Sequence, residues 1–231
     1  MTARRLAAGG RLIITMKLYH ITPRPGHPGS HNAAKVRILL NEIGAAYELI
    51  DCDPVTQLRP PDAAFRRLNP NGLTPVIDDD GFTLWESSAV LQYLADRYQA
   101  RSLYPTAAQP RALIQQWLAW ETSTLTPALM AAFTELSETA VIAQATRLRL
   151  DAATGVMEQQ LALAGHGAFG DYSIADIALG CTAAALFLIG WPLQGRTALL
   201  NWIGRLAARP GWQEEVIQND IETARQAGYN I

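Results

Sequence analysis

Residues 69–98, NPNGLTPVIDDDGFTLWESSAVLQYLADRY, constrain the fold more than any other stretch, because they join a proline-led strand, a tight hairpin and a helix without a spacer. Asn69-Pro70-Asn71-Gly72 is a cluster of turn formers. Val76 and Ile77 form a short β-branched run, Asp78-Asp79-Asp80-Gly81 is a hairpin signal, and Phe82-Thr83-Leu84-Trp85 returns as the second strand. From Val90 the apolar residues at 90, 91, 94 and 98 mark one face of a helix opened by Glu86, Ser87 and Ser88. Pro75 at a strand start is consistent with a cis peptide bond, which turns the preceding residue out of the sheet. The backbone N–H and C=O of Thr74 are then open to an extended ligand. The free amides of the following helix start, with the Ser87 hydroxyl, suit a carboxylate. A backbone-pairing edge beside a carboxylate cradle reads as a site for a small peptide.

The flanking chain builds a compact α/β unit. Residues 16–21 form a first strand, and 22–30 (TPRPGHPGS) must be a loop, since its prolines and glycines continue neither element. Residues 32–44 give a helix with Val36, Leu39, Leu40 and Ile43 on one face and Gly44 at its stop. A strand over 46–50, a loop over 53–61 and a short helix over 63–68 complete a β-α-β-α-β-β-α order ending at Tyr98. Residues 1–15 carry Arg4, Arg5 and Arg11 but no acid, and their apolar part, Leu12-Ile13-Ile14, is too short for a secretory core. They read as a disordered extension, with Met16 opening the folded part.

After a linker over 100–110, with Pro105 and Pro110, the pattern is helical throughout. Leu113, Trp117, Trp120 and Thr124 repeat at helical spacing, and Pro127 is expected to kink or divide that helix. Residues 140–163 form a long amphipathic helix, and 165–170 a loop. Ser173-Ile174-Ala175-Asp176 resembles a capping box with Asp in place of Glu. The apolar residues at 174, 177, 178, 181, 185 and 188 make the helix it starts the core of this half.

Composition excludes several classes. With 19 Lys and Arg against 21 Asp and Glu there is no field for nucleic acid or a membrane surface. No apolar run reaches the roughly 18 residues of a membrane helix. Cys52 and Cys181 offer neither a disulfide framework nor metal spacing, so a reducing cytoplasm is the expected location and no metal is expected. His27 and His31 are four apart, but the prolines and glycines around them make solvated loop the better reading than a metal pair. Cys181 reads as core and Cys52 as a partly buried thiol.

Four segments in this order, SHNAAKVRILLNEIG (30–44), LNPNGLTPVI (68–77), LWESSAVLQYLADRY (84–98) and YSIADIAL (172–179), resemble the glutathione S-transferase superfamily, in its bacterial cytosolic form. The likeness runs from Met16 to the C-terminal helices. It implies a thioredoxin-like α/β N-terminal domain (16–99) that binds glutathione, followed by an all-α helical-bundle domain (111–231), and a homodimer. Carried over residue by residue, Ser87 and Glu86 match the positions that hold the γ-glutamyl end of glutathione. Thr74, before Pro75, matches the residue whose backbone pairs with the cysteinyl part, and Asn71 matches a polar contact near the glycyl end. Ser30 and Asn32 match the thiol-activating position of members reading Ser/Thr-x-Asn; the long loop before them leaves Thr22 as a third candidate. Trp117 and Trp120 are candidates for lining the hydrophobic co-substrate pocket, with core packing as the alternative. The first loop lacks the cysteine of members that exchange disulfides through it, and the Ser-Ser-Cys of the isomerase branch. The histidine some bacterial members carry at about Thr126 is absent as well.

A thiol with a reference pKa of about 8.5 is mostly protonated at pH 7, whereas its thiolate is the nucleophile. Lowering it by about two units takes roughly 2.7 kcal/mol. A hydrogen bond to a charged acceptor contributes about 1.5–3 kcal/mol and a helix N-terminus about 0.3–1 more. A Ser30 or Asn32 donor at a helix start is therefore enough, and no general base is required. Three functions fit: conjugation of glutathione to hydrophobic electrophiles, glutathione-dependent disulfide reduction, and non-catalytic glutathione or ligand binding.

Overall fold

The computed structural model describes residues 16–25, 27–60, 63–164 and 170–231; the expected extension over 1–15 and nearly all of the loop over 165–170 lie outside them. Strands β1 (Met16–His20), β2 (Glu48–Asp51), β3 (Val76–Asp79) and β4 (Phe82–Trp85) form one sheet in the order β2-β1-β3-β4. β1 runs parallel to β2, and β3 is antiparallel to both β1 and β4. The parallel pair is joined through helix α1 (His31–Glu42), and helix α2 (Ser87–Arg97) follows the β3–β4 hairpin directly. Side chains alternate across the sheet as strand geometry demands. Leu18 and Ile77 face α1 and α2, packing with Val36, Leu39, Leu40, Val90, Leu91 and Leu94. Val76 and Tyr19 face the other way, onto Ile21, Cys52, Leu58 and Phe65.

The connection after β2 is less regular than a loop and a short helix. A π-helical turn over Pro54–Leu58 is capped by Asp53, and a 3-10 turn over Ala64–Arg67 follows. Short single turns are what this proline-bounded stretch can support.

Among the described residues, six helices make the second half: α3 (Ala108–Trp120), α4 (Thr126–Thr139), α5 (Gln144–Ala164), α6 (Ile174–Ala184), α7 (Thr197–Ala207) and α8 (Glu215–Gln226). α3 begins before Pro110, which sits in its first turn where no intrahelical N–H is lost. The helix is divided next to Pro127 as expected: a π-helical turn over Glu121–Leu125 separates α3 from α4, and the proline falls in the first turn of α4. The helix expected from residue 140 starts at Gln144, because Ala140 is left-handed (φ 58°) and ends α4. Ile114, Trp117 and Leu118 form the buried face of α3, while Leu113 is exposed. α6 is buried along its whole length and carries the capping box: Ser173 accepts from Ala175 N–H at 3.2 Å and donates its own N–H to Asp176 Oδ2 at 3.0 Å. Asp176 also accepts from the Trp202 indole at 3.0 Å, which ties the cap to α7. α1 packs against α2 on one side and against α6 and α8 on the other, so its N-terminus lies where the sheet meets the helices. No helix among the described residues is long and apolar enough to cross a membrane.

Candidate functional site

The sheet order brings two helix starts to one edge. Val76 pairs with both Tyr19 and Trp85, so β1 ends, β3 begins and β4 ends at the same end of the sheet. From there the chain enters α1 after residue 30 and α2 after Glu86.

Ser30 is the N-cap of α1, with extended backbone (φ −106°, ψ 101°), and its own N–H donates to Ile21 O at 3.1 Å. Its hydroxyl oxygen accepts from Ala33 N–H and from the Thr74 hydroxyl, both at 3.2 Å. A serine oxygen has two acceptor positions and one proton. Both acceptor positions are filled, so what Ser30 still offers is the proton. Asn32 is exposed, and its Oδ1 accepts from Lys35 Nζ at 2.8 Å. The Thr22 backbone N–H donates to Asp51 Oδ1 at 2.9 Å.

Thr74-Pro75 is a cis peptide, and Thr74 stands just outside β3. Among the described residues its backbone N–H and C=O have no hydrogen-bond partner. The preceding turn, expected from the cluster at 69–72, is organised by the buried side chain of Asn69. Its Oδ1 accepts from Asn71 N–H at 3.0 Å and Asn71 Nδ2 at 3.1 Å, while its Nδ2 donates to Leu73 O at 2.8 Å. Gly72 (φ 65°) closes the turn, where a Cβ would lie 2.5 Å from Leu58 O.

Glu86 occupies an unusual conformation for a non-glycine residue (φ 69°, ψ 109°), and its side chain makes no cap bond to α2. Conformations of this kind cost about 1–3 kcal/mol and concentrate at functional sites. They turn the chain sharply, leaving the first N–H groups of α2 and the Ser87 side chain without a capping carboxylate of the protein's own. Ser87 is buried and Glu86 exposed. An external carboxylate at this end meets N–H donors, a hydroxyl and the positive end of the helix dipole.

Trp117 and Trp120 make an edge-on ring contact with centroids 5.1 Å apart. Trp117 is buried in the core, whereas Trp120 lines a cavity of about 270 Å³ with Ser123, Thr124, Pro127, Ala153 and Val156. None of Ser30, Asn32, Thr74 or Ser87 lines that cavity.

His31 and His27 are separately engaged. His31 Nε2 contacts Asp220 Oδ2 at 2.8 Å, and His27 Nδ1 accepts from Gly29 N–H at 3.0 Å. Burial raises the Asp220 carboxyl despite the histidine beside it. Among the described residues no three His, Cys, Asp or Glu side chains converge as a metal site. Both cysteines are buried, and burial pushes the Cys52 thiol up to about 11 and the Cys181 thiol higher still. Lys35 and Glu121, which sequence reasoning did not pair, meet at 2.9 Å behind Asn32. A lysine four residues before Leu39 on the apolar face of α1 was the available signal, since a buried cation needs a partner.

A thioredoxin-like α/β domain followed by an all-α domain, with two helix starts meeting at a cis-proline edge, defines the class. Residues 25–102 match the family model described as the N-terminal domain of glutathione S-transferase. The chain is 30% identical over 201 residues to glutathione S-transferase GstB of Escherichia coli (strain K12), covering 83% of this chain and 96% of that protein. It is 31% identical over 207 residues to the glutathione S-transferase-like protein tpcF of Aspergillus fumigatus, covering 80% and 91%. Among solved structures, the theta-class glutathione S-transferase of Xanthomonas axonopodis pv. citri with glutathione bound superposes with a TM-score of 0.71 at 29% identity, covering 87% of this chain and 96% of that one. The chain belongs to the glutathione S-transferase superfamily.

Proposed function

We propose that this protein is a glutathione transferase that attacks hydrophobic electrophiles with the thiolate of bound glutathione. In this reading the γ-glutamyl carboxylate takes the Ser87 hydroxyl and the first amides of α2, and Glu86 meets the ammonium. The cysteinyl backbone pairs with Thr74 beside Pro75, and Asn71 lies near the glycyl end. Ser30 or Asn32 donates to the sulfur. The sulfur forms a bond to an electrophilic carbon and the leaving group departs with the electron pair, so no redox partner is involved. The observation that carries this reading is the Ser30 hydroxyl, whose acceptor positions are filled by Ala33 and Thr74 and whose proton is left to donate at a helix start. This reading seats the electrophile against the helical half, with Trp120 as the candidate lining residue. The same reading divides the chain at 100–110 and makes the protein a cytoplasmic homodimer serving detoxification.

The test is the ultraviolet absorbance of bound glutathione with pH, followed by turnover of an aryl halide and of a small mixed disulfide. Thiolate near neutral pH with aryl halide turnover is the expected result. Disulfide turnover alone would make the protein a glutathione-dependent reductase. Binding with no thiolate would leave it a non-catalytic glutathione-binding protein.

A further inference from the structure

A buried ion pair lies directly behind Asn32, and the chemistry proposed above makes no use of it. Lys35, one helical turn on, is 1% exposed, and its Nζ donates to Asn32 Oδ1 at 2.8 Å and to Glu121 Oε1 at 2.9 Å. Glu121 is fully buried at the start of the π-helical turn between α3 and α4. Its Oε1 also accepts from the hydroxyls of Thr126 and Thr182, the latter at 2.6 Å, while its Oε2 is buried without a hydrogen-bond partner among the described residues. Burial acts to raise this carboxyl, but the Lys35 ammonium and the three hydrogen bonds outweigh it, so the group lies below the ordinary carboxylate range and is ionised.

Lysine is almost never fully buried unless paired, and a buried pair is weak evidence for stability as such. Its placement has a more specific consequence. The two ends of an asparagine amide have nearly the same shape but opposite hydrogen-bonding character. An ammonium carries three donors and no acceptor, so only Oδ1 can face Lys35. The Nδ2 donor is thereby turned the other way, where it has no partner among the described residues. The reversed amide would set donor against donor and forfeit a charge-assisted hydrogen bond.

We infer that Lys35, held by Glu121 of the helical half, is a positioning residue that fixes the Asn32 amide with its N–H groups toward the glutathione sulfur. The inference rests on the proposed function, since it needs a thiol bound at the start of α1. Because Glu121 lies against the ammonium, the pair carries no net charge, and its influence on the sulfur runs through the orientation of Asn32. Released from Lys35, the amide presents its carbonyl to the thiolate part of the time. The bound thiol's pKa then rises by about one unit, leaving about tenfold less thiolate below that pKa.

The experiment is a four-way cycle, titrating bound glutathione by thiolate absorbance in the wild type, Asn32→Ala, the double variant Lys35→Met/Glu121→Gln, and the combination of all three. The double variant removes both charges together, so neither is left buried and unpaired. It is expected to raise the thiol pKa by about one unit in the presence of Asn32 and to add nothing to Asn32→Ala. A shift that persists in the Asn32→Ala background, or none where Asn32 is present, overturns the inference. Asn32→Asp provides a check outside the core, since it keeps the acceptor for Lys35 and loses the donor. It should raise the thiol pKa at least as far as Asn32→Ala, and an unchanged value again overturns the inference. A wild-type complex with no thiolate near neutral pH would instead overturn the proposed function itself.

Discussion

Replacing Ser30 separates two jobs that one hydroxyl performs. Its oxygen caps α1 by accepting from Ala33 N–H and also accepts from Thr74, and its proton is the candidate donor to the sulfur. Ser30→Ala removes both, with a cap loss of about 1 kcal/mol in stability. Ser30→Gly removes the donor at a cap cost of only a few tenths of a kcal/mol. For a chain of this size, 1 kcal/mol lowers the melting temperature by about 2–4 °C, so both variants stay folded at the assay temperature. A donor to a charged acceptor is worth about 1.5–3 kcal/mol, or about one to two pH units of thiol pKa. The donor favours the thiolate and depresses its pKa, so removing it moves the titration upward. At saturating glutathione, the acid limb of the kcat profile with an aryl halide should move up by about one to two units in both variants. The melting temperature should fall measurably in the alanine variant alone. An unmoved acid limb in both, with a moved one in Asn32→Ala, would refute the assignment and give the role to Asn32.

Three other outcomes follow from single contacts. Ser87→Ala should weaken glutathione binding about ten- to hundredfold by calorimetry, since one charge-assisted bond is lost and the α2 amides remain; an unchanged Kd would refute the carboxylate cradle. At Gly180 an added Cβ would lie 2.4 Å from Trp212 Cη2 and 2.5 Å from Leu206 Cδ1, so Gly180→Ala should cost about 1–3 kcal/mol in urea unfolding. An unshifted urea midpoint would mean that α6 and the Trp212 turn separate freely. The Cys52 thiol, at about 11, is only about one part in a thousand thiolate at pH 8. Ellman's reagent should therefore find no fast thiol in the native protein and both in denaturant, and a fast native thiol would contradict the buried placement of Cys52 and Cys181.

Local signals carried much of the fold. The hairpin at 78–81, the strand order around Pro75, and the Ser173–Asp176 capping box each depend on residues a few positions apart, and all appear where the pattern put them. The division next to Pro127 also appears, but its form, a π-helical turn that sets the proline in the first turn of α4, is not written in the local pattern. The end of α4 at Ala140 gave no warning, since alanine has no preference for left-handed backbone. At the candidate site, the start of α1 near Ser30 and that of α2 at Ser87 follow from local signals. The buried supports do not. Glu121 reaches Lys35, and Asp220 reaches His31, across 86 and 189 residues, and no periodicity in one segment names a partner in another.

The π-helical turn over Glu121–Leu125 also sets an angular phase along the chain. An α-helix advances about 100° per residue, and this wide turn already holds one extra, so inserting a further residue here would rotate α4 relative to α3 by roughly that angle. With α3 held on its own neighbours, the oxygens of Thr126 and the face carrying Ala128 and Leu129 would swing away from Glu121 and the core. The helical half is thus indexed to the sheet like a keyed shaft. Changes of length in this segment are expected to be tolerated far less well than changes of side chain at its exposed positions Thr122, Ser123 and Thr124.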